Sequence, residues 1–173
     1  AKTVITFPYA VGQIPVYYNH FNTGRPVAPG EVGAWKSRYL DIPNQPLYPF
    51  GYGLSYSRFK YDQIKTDKTQ YQRHESITVS ATIENTGALA GEEIVQLYIW
   101  DVTANQVRPV KELKGFKKIL LKPGEKQIVN FTLTQKDLSY YNSEGNLIFE
   151  PGKFILYVGS NSRDVMQTAV EVL

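Results

Sequence analysis

The sequence predicts an all-β protein: an antiparallel β-sandwich over residues 59–173, preceded by an irregular N-terminal segment. Three observations carry this. From Phe59 onward apolar residues recur at a period close to two, the spacing of strands with one buried face, and helical periodicity of useful length is absent. Turn signals punctuate those runs at Asn85-Thr86-Gly87, Lys122-Pro123-Gly124-Glu125 and Pro151-Gly152. Ahead of them the chain is turn-rich, and the two regimes meet in Leu47-Tyr48-Pro49-Phe50-Gly51-Tyr52-Gly53-Leu54-Ser55-Tyr56.

Taken in order, Val4-Ile5-Thr6-Phe7 reads as a short strand ended by Pro8, and Val16-Tyr17-Tyr18 as a second, with Gly12 and Pro15 between them. Asn22-Thr23-Gly24, Pro26, Pro29-Gly30 and Gly33 then supply turn residues. Two short strands bury no core, and so long a structureless stretch is foreign to a compact domain. Residues 1–46 are therefore expected to be the tail of a domain whose body lies upstream. Residues 47–58 follow as an aromatic junction, too apolar for a solvated linker. Pro49 fixes its own φ there, while Gly51 and Gly53 admit conformations closed to other residues.

Phe59 to Lys65 opens the sandwich. Ile77, Val79, Ala81 and Ile83 form one buried face, and Val95, Leu97 and Ile99 the inner face of a strand over Ile94 to Trp100. Lys111 to Leu121 carries Leu113, Phe116, Ile119 and Leu121; Val129, Phe131 and Leu133 alternate after it. Phe154, Leu156 and Val158 line the next strand, and Thr168, Val170 and Val172 one side of the last. The total of about seven strands matches a two-sheet sandwich of immunoglobulin or fibronectin type III style. In such sandwiches a tyrosine before the last hairpin bonds back to backbone, a part expected of Leu138-Ser139-Tyr140-Tyr141.

Composition excludes several classes. A net charge of +3 over 173 residues makes no case for nucleic acid. The absence of cysteine excludes disulfides and thiolate metal sites. No apolar run approaches the roughly 20 residues of a membrane span. The first residues lack a signal-peptide pattern, and without an initiator Met the N-terminus is expected to have been cut.

The sequence offers few groups arranged for chemistry. Gly51-x-Gly53 lacks the third glycine and the following helix of a phosphate loop, and Ser55 lacks a G-x-S-x-G elbow. His20 and His74 fit no metal spacing and read as exposed loop residues. Glu92 and Glu93 are adjacent in a strand and point to opposite faces. Asp101, Glu112, Asp137, Glu144, Glu150 and Asp164 read as solvated turn and cap residues. Lys111, Lys114, Lys117, Lys118, Lys122 and Lys126 read as solvated guards of an edge strand. The aromatics Tyr9, Tyr17, Tyr18, Trp35, Tyr39, Tyr48, Tyr52 and Tyr56 precede the sandwich, and most are expected to pack in the junction between domains. Trp35, in a polar loop, is the best single candidate for a surface contact, and whether it or Arg38 touches substrate stays open. The sequon Asn130-Phe131-Thr132 lies inside a strand and carries little weight.

An ordered set of stretches then resembles the C-terminal part of family 3 glycoside hydrolases, above all bacterial periplasmic β-glucosidases. It comprises Phe7-Pro8, Gly12-Gln13-Ile14-Pro15-Val16-Tyr17-Tyr18-Asn19-His20, Asn22-Thr23-Gly24-Arg25-Pro26, Ser37-Arg38-Tyr39 and Pro46 through Tyr56. Asn85-Thr86-Gly87, Gly91-Glu92-Glu93, Gln96-Leu97-Tyr98, Leu113-Lys114-Gly115-Phe116 and Glu150-Pro151-Gly152 are similar to that family's fibronectin type III-like domain. The likeness covers essentially the whole chain.

The resemblance implies a (β/α)8 barrel and an α/β sandwich domain ahead of residues 59–173, with residues 1–46 the end of the latter. It implies a retaining mechanism, in which a barrel Asp attacks the anomeric carbon and a Glu of the second domain protonates the leaving oxygen. Neither has a counterpart here, so no catalytic residue, cofactor or metal is assigned to this chain. The expected partners are the upstream catalytic domains, a β-glucoside or oligosaccharide through the parent enzyme, and a second copy in a homo-oligomer; nucleic acid and membrane are not expected. The expected location is periplasmic or secreted. The alternative is a stand-alone sandwich binding carbohydrate or protein without catalysis.

Overall fold

A computed structural model describes residues 2–27 and 35–173. The turn residues Pro29-Gly30 and Gly33 lie outside the described residues. Among these there is one turn of 3-10 helix at Val11–Gln13, one short helix and ten strands. The strands are β1 (Phe59–Thr66), β2 (Gln70–Tyr71), β3 (Ile77–Asn85), β4 (Gly91–Asp101) and β5 (Glu112–Leu121), followed by β6 (Lys126–Leu133), β7 (Tyr140–Tyr141), β8 (Leu147–Ile148), β9 (Gly152–Gly159) and β10 (Val165–Val172). The helix α1 spans Gln135–Leu138. Strands β1, β3, β4, β5, β6, β9 and β10 each have eight residues or more and are the runs that period-two spacing marks. The two-residue strands β2, β7 and β8 are too short to carry a period.

Two sheets face each other, one in the order β1-β3-β6 and one in the order β2-β10-β9-β4-β5; β7 and β8 form a separate hairpin. Pairing is antiparallel except between β10 and β2. The layer between them is built from Ile77, Val79, Ala81 and Ile83 of β3, Val95, Leu97 and Ile99 of β4, and Val129, Phe131 and Leu133 of β6. Phe154, Leu156 and Val158 of β9 and Val170 and Val172 of β10 complete it. Burying each such side chain contributes about 1.5–3 kcal/mol, which is why the alternation in the sequence sets the register.

Three expectations change. Phe116, grouped by sequence with Leu113, Ile119 and Leu121, does not share the face of the last two: Ile119 and Leu121 face the core, so strict alternation sends Phe116 and Leu120 to the outer face. Gly115 takes the inward place, where a Cβ would stand 3.3 Å from the Phe131 ring. Val4–Phe7 and Val16–Tyr18 form no strands. Instead Phe7 makes a single antiparallel bridge with Tyr48, and Phe21 another with Pro109. Pro8 and Pro49 lack the N–H that would extend the first of these into a ladder. Finally, the Tyr140 hydroxyl donates to the Glu150 carboxylate and not to backbone. The β7–β8 hairpin sets Tyr140 opposite Ile148, just short of that side chain.

Candidate functional site

Strand β4 is buried on both faces, because residues of the N-terminal arm lie across its outer side. Gln96 sits in the middle of the apolar run Ile94 to Trp100 and is nearly inaccessible. Its Nε2 donates to the Ser160 carbonyl at 2.7 Å and to the Gly51 carbonyl at 3.2 Å, and its Oε1 accepts the Tyr98 hydroxyl. Gly51 has φ +77°, and a Cβ there would fall 2.1 Å from Gln96 Oε1. The junction thus needs glycine for backbone sign and for space alike. Burial raises the Tyr98 phenol above its ordinary pKa, so it remains a neutral donor.

Around that bond the arm and the sandwich interlock. The ring of Tyr18 stacks on Phe50 at 4.3 Å and meets the edge of Tyr98 at 5.7 Å. Phe50 O accepts from Ser162 N at 2.9 Å, and His20 O from Val110 N at 2.9 Å. Farther along, Thr3 N donates to Tyr52 O at 2.7 Å and Gly51 N to Thr3 O at 2.8 Å, so residues 3–7 run beside residues 48–52. Lys111 Nζ donates to Ser162 O at 2.7 Å and lies 4.8 Å above the Tyr157 ring. Burial pulls its amine below the ordinary lysine pKa. Lys111 is therefore not a solvated edge residue: the loop it leads from turns back over β9.

Four of the other five lysines, all but Lys122, are engaged one by one rather than assembled into a basic face. Lys114 pairs with Glu112 at 2.9 Å, Lys118 with Glu92 at 2.7 Å and Lys126 with Glu84 at 3.3 Å, while Lys117 lies over Phe131. Glu92 and Glu93 do point to opposite faces. Glu92 is exposed, whereas Glu93 is buried between the sheets and accepts from Tyr61 Oη at 2.7 Å and Lys2 Nζ at 3.1 Å.

Asn85 ends β3 fully buried with its amide satisfied. Its Nδ2 donates to Leu89 O at 2.8 Å and Leu121 O at 2.9 Å, and its Oδ1 accepts from Ser57 Oγ at 2.5 Å and Gly87 N at 2.9 Å. Residues 57–58, which deliver the junction into β1, are fastened through this side chain.

At the opposite end, Asp101 is buried, contrary to the solvated reading, and burial raises its carboxyl above the ordinary aspartate pKa. Its Oδ2 and Arg108 Nε make no hydrogen bond within the described chain. Arg108 stacks 4.3 Å over Tyr140 and pairs with Glu112. Glu150 accepts from the Tyr140 hydroxyl and from Asn105, and these bonds hold its carboxyl below the ordinary glutamate pKa. Asp137 caps α1 by accepting from Thr134 N at 2.7 Å. Glu144 and Asp164 lie exposed in turns, as expected.

His20 and His74 are both exposed, and no cluster of three or more metal-ligating side chains occurs among the described residues. Ser55 Oγ accepts from Ser57 N in a turn. Trp35 is 83% exposed with φ 67°. Arg38 lines an open groove with Gln13, Tyr17, His20 and Tyr39. Tyr18, Tyr48 and Tyr52 pack at the junction, the last two 4.9 Å apart. Tyr48 is nonetheless as exposed as Phe7, whose ring meets its own, and Tyr9, Tyr17, Phe21 and Tyr56 also leave much of their surface open to solvent, together with Val4, Ile5 and Leu40. Buried Gln13 ties the arm to itself, its Oε1 accepting from Tyr9 N at 2.8 Å and its Nε2 donating to Pro43 O at 3.0 Å and Gln45 O at 3.1 Å. Gln13, Gln96 and Asn85 are the anchoring residues that pattern reading passes over. Only Gln96 announces itself, as an amide inside an apolar strand.

Fold and junction together define a fibronectin type III-like β-sandwich with an apolar arm clamped to one sheet. The fibronectin type III-like domain family matches residues 93–162. The chain is 46% identical over 172 residues to the periplasmic β-glucosidase of Salmonella typhimurium, covering 99% of this chain and 22% of that protein. It is 39% identical to a putative β-xylosidase of Formosa agariphila, with 99% and 21% covered. The crystal structure of a β-glucosidase from Listeria innocua in complex with glucose superposes with a TM-score of 0.90 at 48% identity, over 99% of this chain and 24% of that one. The chain thus spans about a fifth of the length of these relatives. By sequence and fold it is a C-terminal part of the family 3 glycoside hydrolases, the part that carries their fibronectin type III-like domain.

Proposed function

We propose that this chain is the non-catalytic C-terminal portion of a retaining enzyme that hydrolyses terminal β-D-glucosyl residues, and that it braces the catalytic domains. Residues 1–46 complete an upstream α/β domain, residues 47–58 form the junction, and residues 59–173 are the brace. One observation carries the reading. The arm is fastened to the sandwich through Gln96, Phe50 and Val110, yet turns Phe7, Tyr9, Tyr17 and Phe21 outward. So many exposed large apolar side chains on one short segment mark a contact site, and covering them contributes about 25 cal/mol per Å2 removed from water.

The nucleophilic Asp and the acid Glu belong to the catalytic domains, and this chain contributes neither. The name of the Salmonella relative supports a periplasmic or secreted location. No helix among the described residues is long and apolar enough to cross a membrane. The test compares the 173-residue chain with the full-length polypeptide on an aryl β-glucoside. Turnover is expected from the full-length polypeptide alone. Robust turnover by the 173 residues overturns the reading, and so does a full-length enzyme inert on every β-glycoside.

A further inference from the structure

A groove set apart from the arm collects positive charge beside an apolar wall. Arg108, Glu112 and Lys114 line it from the start of β5 and the loop before it, Lys136 from α1, and Tyr141 and Leu147 from the β7–β8 hairpin. No described residue ahead of Arg108 takes part. Its volume of about 490 Å3 falls within the roughly 300–1,000 Å3 of small-molecule pockets.

The charges in the groove do not cancel. Glu112 is the one carboxylate among the lining residues, and both its oxygens are taken, Oε1 by Arg108 and Oε2 by Lys114 at 2.9 Å. The side chains of those two cations are each only 17% exposed, and Arg108 is held further by its stacking on Tyr140. Both have donors to spare, since a guanidinium carries five N–H groups and an ammonium three. Lys136 is exposed, and its amine pairs with nothing among the described residues. Three cations against one carboxylate leave the groove a net charge of +2. A lone surface lysine calls for no ligand, but here two of the three cations are already fixed in place.

The facing wall is apolar. Tyr141 and Leu147 lie directly opposite each other in the hairpin, so their side chains share a face, and they are 69% and 47% exposed. A bare inorganic anion gains nothing from such a wall. A pyranose does: its C–H face stacks on the tyrosine ring, and a carboxylate on that pyranose makes charge-assisted bonds to the cations.

We propose that this groove binds a uronic acid unit of an oligosaccharide, its carboxylate on Lys136 and Arg108 and its ring over Tyr141. The site is one of binding without catalysis, and it stands independently of the bracing role.

The full-length polypeptide is mixed with trigalacturonate, cellotriose, triglutamate or sodium sulfate at matched ionic strength. Amide exchange is then followed in the peptide covering residues 139–148, a local readout that sugar bound elsewhere on the enzyme does not move. With about 10 mM trigalacturonate and a dissociation constant of about 5 mM, exchange there should slow by about threefold. The other three compounds should leave it unchanged. Lys136→Ala, at an exposed position, should remove most of the protection, and Lys136→Arg should keep it. Equal protection by sulfate or triglutamate reduces the groove to an unspecific anion patch, and equal protection by cellotriose takes the carboxylate out of the recognition. Either result overturns the proposal, as does trigalacturonate without effect or protection that survives Lys136→Ala.

Discussion

Gly51→Ala is the sharpest probe of the junction. The substitution adds one methyl at φ +77°, which costs about 1–2 kcal/mol for an L-residue in the left-handed region. The new Cβ lies 2.1 Å from Gln96 Oε1, so the glutamine side chain has to leave. Its departure strips Ser160 O and Gly51 O of their donor and the buried Tyr98 hydroxyl of its acceptor. Each buried polar group left unpaired costs about 1–3 kcal/mol, so the three together with the backbone term come to about 4 kcal/mol or more. Gly124→Ala provides the control. It shares the positive φ, +75°, but nothing lies within 4 Å, so only the same backbone term of about 1–2 kcal/mol applies. Urea unfolding of both variants gives the difference, and hydrogen exchange at Ser162 N, which donates to Phe50 O, shows where it falls. Adding Gln96→Ala to Gly51→Ala should recover part of the loss by removing the clash. Equal losses for Gly51→Ala and Gly124→Ala, or unchanged exchange at Ser162, would refute the assignment of Gln96 as the bond between arm and sandwich.

Two further outcomes follow from the same structure. Asn85→Leu should cost about 3 kcal/mol or more, because Leu89 O and Leu121 O lose their shared donor inside the fold; a urea midpoint within error of the parent contradicts that. Glu150 has its folded pKa held down by Tyr140 and Asn105, so its contribution is present above the ordinary glutamate pKa and is lost as pH falls through the folded value. Asp101, raised by burial, runs the other way, its contribution lost as pH rises through its folded value. Glu150→Gln should therefore flatten the acid limb of a melting temperature against pH profile, and an unchanged limb rules the contribution out.

The alternation of Ile77 to Ile83, Val129 to Leu133 and Phe154 to Val158 determined the sheets, because a strand has a period of two and only one face of each could be buried. The same local pattern placed Glu92 and Glu93 on opposite faces before any partner was known. Phe116 shows where that reasoning stops. Its position depended on the parity set by Ile119 and Leu121 and on the space Phe131 leaves only for Gly115. The arm was legible as something without a core of its own, yet where it lies was not. Its contacts run from Tyr18 to Tyr98, from Gly51 to Gln96 and from Lys2 to Glu93, pairs so distant in sequence that no local period links them. Local periodicity was enough to specify the sandwich. Which face of β4 the arm covers, and which side chains it leaves open, was decided only by long-range closure of the chain on itself.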